Sequence, residues 1–512
     1  MTEVGRLSAE NRPALSDDPS DTLPGVSDER AYRLYIGGEW VEPEGGYYDV
    51  INPATEQVVG RAPEASRQQV YDAAAAAKAA LPVWAATKPE ERAEILSRVV
   101  DVIGKHADDY AQVAQAETGA TSATVKALQV NVAMQRFRRY AQGALESNQI
   151  PLPPTVSEST PLSKGGLTGA VVIRQPVGVV TCITSYNNPW ANPSGKIAPA
   201  LAMGNTLVVK PAPQDPLSVV LMTEALEEAG VPAGVVNLIS GQAIEVGQAS
   251  VDSPDVDMVS FTGSTQVGRA IGSTAGGQMK RVLMELGGKG AAIVFDDANL
   301  QAAIGAIGTT FSFYSGQICT APTRVYAHRS VHDQVVEGLT QYAKALKIGD
   351  PTAPDTVVGP VISAVHRDRV EAFIAKGKAE GATLLAGGER PDIDKGFYVA
   401  PTLFADCRND MSIVREEIFG PVISVIAFDH EDEAIALAND SDYGLINYVW
   451  TADLARGYRV ARQLQAGTVD LNTVTQQMEA PFGGFKQSGV GRDRGSFGLH
   501  AYSEMQAIVW PG

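Results

Sequence analysis

Between Pro176 and Gly287 the chain alternates short apolar runs with helical periodicity. The runs at 177–185, 206–210, 235–240, 256–261 and 281–286 read as strands. Those at 193–202, 217–229 and 266–275 carry apolar residues at helical spacing. Strands that are apolar on both faces, separated by helices, require a parallel sheet covered on both sides. Such a sheet takes its ligand beyond the carboxyl ends of its strands. A second α/β region runs from Ala291 to about Phe485, with helices at 300–313, 331–346 and 365–380 and strands near 397–403 and 422–428. At 512 residues the chain exceeds what one core supports, so two or three domains are expected.

Residues 1–30 are rich in Ser, Asp, Glu and Pro and read as a disordered or loosely attached tail. Order begins with a strand at Tyr32, a Gly37-Gly38 turn and a second strand. Helical patterns follow at 69–81, 89–105, 108–117 and 122–146. The stretch 150–174 carries Pro151, Pro153, Pro154 and Gly165-Gly166, then the run Val171-Val172-Ile173, and reads as a projecting hairpin. A last strand is expected at 502–510. The expected division joins 31–149 with 175–287 as one domain, takes 288–490 as a second, and joins 150–174 with 497–512 as an arm.

The formal charge is 41 − 59 = −18, which argues against nucleic acid or an anionic membrane as a partner. Three cysteines, Cys182, Cys319 and Cys407, are too few for a disulfide framework and suit a reducing compartment. No run approaches the ~18 apolar residues of a membrane span, and residues 1–30 have no signal-type apolar core. Cytoplasm is the expected location. No metal site is expected.

Six stretches carry chemistry. Phe313 to Arg324 puts Cys319 after Ser315-Gly316-Gln317 in a polar loop: a nucleophile, or a small buried hydrophobe. Phe261 to Gly268 runs a strand through Gly263-Ser264 into a helix, a turn that suits a phosphate and also occurs without one. Lys210 ends a strand, where it meets a ligand or simply water. Glu285 is an acid in an apolar strand, either a general base or a partner of Lys289 or Arg281. Glu416 to Pro421 and the Gly-rich loop from Pro481 to Arg492 are irregular segments that fit the rim of a site.

Together these stretches resemble the aldehyde dehydrogenase superfamily from about Tyr32 to the C-terminus. The resemblance also rests on Tyr186-Asn187-Asn188-Pro189, on 196–206, on Lys210-Pro211-Ala212 and on Glu285-Leu286-Gly287-Gly288-Lys289. It implies a Rossmann-like cofactor-binding domain, an α/β catalytic domain and a small β oligomerisation arm. It implies NAD(P)-dependent oxidation of an aldehyde through a thiohemiacetal and a thioester on Cys319. Glu285 would be the general base, and Asn187 with the Cys319 amide the oxyanion hole. Gly263, Ser264 and Gly268 would face the pyrophosphate, and Lys210 and Glu417 would hold the riboses. Phe419 would back the nicotinamide, and Ser185, Tyr186 and Leu286 complete the cofactor set. A homodimer or homotetramer is implied, built through the hairpin and the last strand.

The sequence departs from the family pattern in places. Tyr186 stands where Trp is usual, and Pro213 stands where NAD-preferring members commonly have Glu, so NAD is expected with NADP not excluded. In the substrate pocket Asn188 and Gly195 replace aromatics while Phe313 and Phe482 remain. Replacing a ring by Gly opens volume, so a bulkier or partly polar aldehyde is expected. Two other readings are a cofactor-independent thiol esterase using Cys319 and Asn187, and a non-catalytic relative; the cofactor motifs oppose the first and the retained Cys319 and Glu285 oppose the second.

Overall fold

The computed structural model describes residues 31–162 and 164–511. The tail expected at 1–30 lies outside the described residues. An eight-stranded sheet is ordered Glu39–Val41, Leu34–Ile36, Val236–Leu238, Thr206–Lys210, Val179–Ile183, Met258–Thr262, Arg281–Glu285, Gly489–Val490. Its five central strands are parallel, and the outer pairings are antiparallel. The chain builds outward from Val179–Ile183, first to one side and then, from Met258–Thr262, to the other. The reversal between these two strands is the switch point at which an open α/β sheet forms its ligand crevice.

The second sheet has seven strands, ordered Thr383–Ala386, Thr402–Ala405, Val422–Phe428, Arg324–His328, Ala291–Val294, Ile446–Trp450, Thr468–Leu471. All its pairs are parallel except the first. Five residues join the last parallel strand of the first sheet, ending at Glu285, to Ala291 in the second. The carboxyl ends of one sheet therefore meet the amino ends of the other, and the site forms at that junction.

A third sheet pairs Gln149–Ser157, Gly166–Pro176 and Ser503–Pro511, all antiparallel. Every residue of Gln149–Ser157 is exposed. Its register shifts between Leu152 and Thr155, where Pro153 and Pro154 have no N–H to give the ladder.

Several elements differ from the sequence pattern. The pattern at 122–146 is one helix in sequence but breaks into Ser122–Val125, a π turn at Lys126–Val130 and Asn131–Gly143. The strand expected near 397–403 begins only at Thr402, after Pro401. The helices Ile244–Asp252, Glu431–Asn439 and Leu454–Ala461 and the strands Ile446–Trp450 and Thr468–Leu471 were not anticipated; each is short, and length is what separates strand from helix in a brief apolar run. No described helix is long and apolar enough to cross a membrane.

Candidate active site

Cys319 lies just ahead of the Arg324–His328 strand, after a turn that the backbone holds tightly. Tyr314, Ser315 and Gly316 have φ of 49°, 55° and 73°. Three successive left-handed residues are costly for side-chain-bearing positions and persist only when the surroundings impose them. Here the Ser315 hydroxyl donates to the Gly359 carbonyl at 2.7 Å. The buried Gln317 amide accepts from the Ile362 N–H at 2.9 Å and donates to the Tyr314 carbonyl at 3.2 Å. A Cβ on Gly316 would stand 2.2 Å from the Gly420 carbonyl carbon. A Cβ on Gly288 would stand 2.1 Å from the Cys319 carbonyl oxygen. These two glycines let the thiol loop sit flush against the segments that carry Glu285 and Glu417.

Asn187 follows the Val179–Ile183 strand and is buried. Its Nδ2 donates to the Gln317 carbonyl at 2.8 Å, two residues before Cys319. Its Oδ1 accepts from the Ser185 hydroxyl at 2.8 Å and from Asn192 Nδ2 at 3.2 Å. The amide is thereby oriented, with one of its two Nδ2 protons left for another acceptor.

Glu285 ends its strand and is buried. Neither sequence partner reaches it: Arg281 pairs with Glu504 at 2.5 Å, and the buried Lys289 ammonium makes no hydrogen bond. Both carboxylate oxygens of Glu285 are buried without a hydrogen-bond partner. Burial, reinforced by the charge of Asp493, holds its pKa well above the usual carboxylate range, against the pull of Lys196 and Arg494. Burial likewise pushes the Cys319 thiol up to about 12, aided by the charges of Glu417 and Glu285 and opposed by Arg494. The two groups thus feel one another across the junction.

The remaining residues form a second cluster. Glu417 accepts from the Gly288 N–H at 2.8 Å, and burial raises its pKa to about 6. Phe419 holds a left-handed backbone with φ of 58°, and its carbonyl accepts from His366 Nε2 at 2.7 Å. Burial lowers the His366 pKa to about 4, so the ring is neutral and Nε2 carries the proton. The Tyr186 ring meets Phe419 edge-on at 5.9 Å. Lys210 is buried, its Nζ reaching the carbonyls of Pro211 at 3.3 Å and Gly241 at 3.2 Å, and burial lowers its pKa to about 8. Ser264 caps the Thr265–Gly277 helix by accepting from the Val267 N–H. A Cβ on Gly268 would stand 2.5 Å from the Leu286 side chain, so glycine lets that helix start close against the strand end.

The substrate end differs from expectation. The space beside Gly195 is not open: a Cβ there would stand 2.3 Å from Arg136 Nη1, so a guanidinium occupies the volume a ring would fill. Phe482 is covered by a second guanidinium, Arg494, 4.1 Å above its ring. Asn188 and Phe313 are both partly buried. Neither arginine was singled out from the sequence. Among the described residues no group of three or more His, Cys, Asp or Glu is placed to hold a metal ion.

A parallel sheet with a switch-point crevice thus ends at a buried acid without a hydrogen-bond partner, and a cysteine loop packs against the segment that follows it. The sequence matches the aldehyde dehydrogenase family over residues 40–508, and the chain belongs to that family. It is similar to the aldehyde dehydrogenase of Bacillus cereus solved as an NAD+ complex, with 37% identity and a TM-score of 0.89, covering 94% of this chain and 97% of that one. It is equally similar to betaine aldehyde dehydrogenase of Staphylococcus aureus solved in complex with NAD+, with 37% identity and a TM-score of 0.89, covering 94% of each chain. The chain is an aldehyde-oxidising enzyme.

The geometry makes Cys319 the sole cysteine open to reagents, since Cys182 and Cys407 are buried. Iodoacetamide is expected to label one site, Cys319, slowly at neutral pH. Below a thiol pKa of about 12 the rate is expected to rise roughly tenfold per pH unit, as thiolate is the reactive form. Peptide mapping at several pH values reads both outcomes; a rate that levels off near pH 8 contradicts the desolvated thiol.

Proposed function

We propose that this chain oxidises an aldehyde to its carboxylic acid with NAD+, using Cys319 as nucleophile and Glu285 as general base. The observation that carries this reading is the junction itself. Cys319 stands in the loop whose Gln317 carbonyl accepts from Asn187, an amide with a donor to spare, and its thiol feels the charge of Glu285, a buried acid without hydrogen bonds.

The residues suit a nicotinamide dinucleotide. Glu417 uses one oxygen for the Gly288 amide and has acceptor capacity left for ribose hydroxyls. Lys210 makes two long contacts to carbonyls and keeps a donor for the adenosine ribose. The Gly263 N–H is held by the Glu285 carbonyl at 3.1 Å, which leaves Ser264 and the start of the Thr265–Gly277 helix to offer backbone N–H groups to a pyrophosphate. Phe419 and Tyr186 supply ring surface for the nicotinamide, beside Ser185 and Leu286. Bound there, the dinucleotide supplies a hydride acceptor. Pro213 provides no carboxylate to repel a 2′-phosphate, so NADP+ belongs in the same assay.

The protein's own steps follow from its chemistry. Glu285 takes the thiol proton and passes it to solvent, Cys319 sulfur bonds to the aldehyde carbon, and the carbonyl pair moves to oxygen. Asn187 Nδ2 and the Cys319 amide donate to that oxygen, each such donor being worth ~10²–10³ in rate. After oxidation the acyl group stays on sulfur. Glu285 then takes a proton from water, the hydroxide attacks the acyl carbon, and the carbon–sulfur bond breaks as Glu285 returns the proton to sulfur, giving the acid and the thiol. A raised pKa suits this base, because its proton affinity lies closer to neutrality than that of an exposed acid.

The three-stranded sheet supports assembly. Its strands expose Ile150, Leu152, Val156, Leu167, Met505 and Trp510, an apolar surface of the kind that marks an interface. The Ser503–Pro511 edge offers an unpaired ladder for strand addition by a second copy. A homodimer or homotetramer is the reading, in the cytoplasm.

Cys319→Ala is expected to abolish reduced-nicotinamide formation with every aldehyde, and Asn187→Ala to lower kcat by ~10²–10³. Full activity in Cys319→Ala contradicts the mechanism, and ester turnover with no dehydrogenase activity under either cofactor favours the thiol esterase. Sedimentation at micromolar concentration is expected to show dimer or tetramer; monomer alone contradicts the interface.

A further inference from the structure

Ile446–Trp450 is a buried strand with parallel partners on both sides, Ala291–Val294 and Thr468–Leu471. It nevertheless carries two polar side chains, and both are committed to backbone groups at the junction. Asn447 Oδ1 accepts from the Ala291 N–H at 2.9 Å. The Tyr448 hydroxyl donates to the carbonyl of Thr320, the residue after Cys319, at 2.7 Å. Tyr448 is 1% exposed, and its ring packs in the apolar cluster that holds Val294, Val325 and Trp450. A rigid ring on a central strand thus delivers one donor to the nucleophile loop.

Every carbonyl from Gln317 to Thr320 has a fixed place. That of Gln317 accepts from Asn187 Nδ2 at 2.8 Å, and that of Ile318 from the Ala321 N–H at 3.2 Å. The Cys319 carbonyl abuts Gly288, and the Thr320 carbonyl meets Tyr448. The bond between Ile318 and Ala321 closes a β-turn with Cys319 and Thr320 at its centre. The Thr320 carbonyl and the Ala321 N–H belong to one planar trans peptide and point in opposite directions. Holding that carbonyl therefore aims the N–H at Ile318. The Ile318 carbonyl shares its own peptide plane with the Cys319 N–H. The result is a chain: Tyr448 O–H to Thr320 carbonyl, Ala321 N–H to Ile318 carbonyl, then the Cys319 N–H. Such chains polarise link by link, each bond strengthening the next donor.

We propose that Tyr448 is a positioning residue for the nucleophile turn, orienting and polarising the Cys319 N–H through two peptides so that it donates to the thiohemiacetal oxyanion. The inference rests on the proposed aldehyde oxidation and adds a side chain that acts only through the backbone. Burial, with the charges of Asp470 and Cys319, raises the pKa of the phenol, so it remains a donor. Among the described residues no other group donates to the Thr320 carbonyl, so removing the hydroxyl frees that peptide to turn.

The test compares two reactions of Cys319 in the full-length enzyme. The first is a single turnover with NAD+ and enzyme in excess over aldehyde, read as the rate constant of reduced-nicotinamide formation. The second is alkylation by iodoacetamide, a displacement at saturated carbon that develops no oxyanion. Tyr448→Phe keeps the packed ring and deletes the donor. It is expected to lower the first rate constant roughly tenfold, less than the ~10²–10³ of a whole oxyanion donor. KM for NAD+ and the alkylation rate are expected to stay unchanged. Para-aminophenylalanine in place of Tyr448 returns an N–H donor and is expected to restore most of the rate. Rate constants, unlike amplitudes, do not depend on how much of the variant is folded. An unchanged single-turnover rate in Tyr448→Phe would overturn the proposal and leave aldehyde oxidation intact. So would faster alkylation, the mark of a merely loosened loop, or no recovery with the aromatic amine. If the unaltered enzyme forms no reduced nicotinamide with any aldehyde, the aldehyde-oxidation reading falls and this one with it.

Discussion

The site depends on two backbone contacts that only glycine permits. Gly288 lies against the Cys319 carbonyl, and Gly316 lies against Gly420 and Pro421. A Cβ at either position would stand within 2.1 or 2.2 Å of main-chain atoms that cannot turn aside. The first contact joins the strand end bearing Glu285 to the thiol loop. The second joins the thiol loop to the turn bearing Glu417 and Phe419. Three chain segments distant in sequence are thus held in one geometry, and the strained turn at Tyr314–Gly316 is held by the same contacts.

Inside that frame, burial sets the chemistry. Glu285, Glu417 and Cys319 all have raised pKa values with desolvation as the first cause. For a thiol this suppresses the nucleophile, and for an acid it makes a stronger base. The same buried setting favours any cation brought close, since positive charge at the thiol lowers its pKa. Arg494 already acts in that direction on Cys319 and on Glu285. The low-dielectric junction therefore ties the state of the thiol to the charges of Glu417, Glu285 and Arg494 around it.

Much of this was legible in the sequence, for identifiable reasons. The parallel sheet follows from strands apolar on both faces, and Val422–Phe428 and Thr206–Lys210 stand where the pattern puts them. Glu285, Lys210 and Gly263 sit at strand ends, where function leaves a local mark: an acid in an apolar run, a lysine at a strand end, a glycine before a helix. Short elements such as Ile446–Trp450 left too little periodicity to separate strand from helix. The substrate end was misread for a different reason. Gly195 predicts a void only if nothing else fills it, and the filler, Arg136, lies 59 positions earlier (195 − 136) on another helix. No local pattern distinguishes Arg136 from the solvated Arg138 beside it; a tertiary contact does.

The central claim is that the acyl group passes through Cys319 and leaves by the action of Glu285. Intact-protein mass spectrometry on Glu285→Gln, quenched after mixing with NAD+ and aldehyde, tests it directly. The account predicts one acyl adduct per chain, mapped to the Cys319 peptide, formed with one equivalent of reduced nicotinamide and hydrolysed slowly. Multiple turnovers at the native rate with no adduct on Cys319 would contradict it.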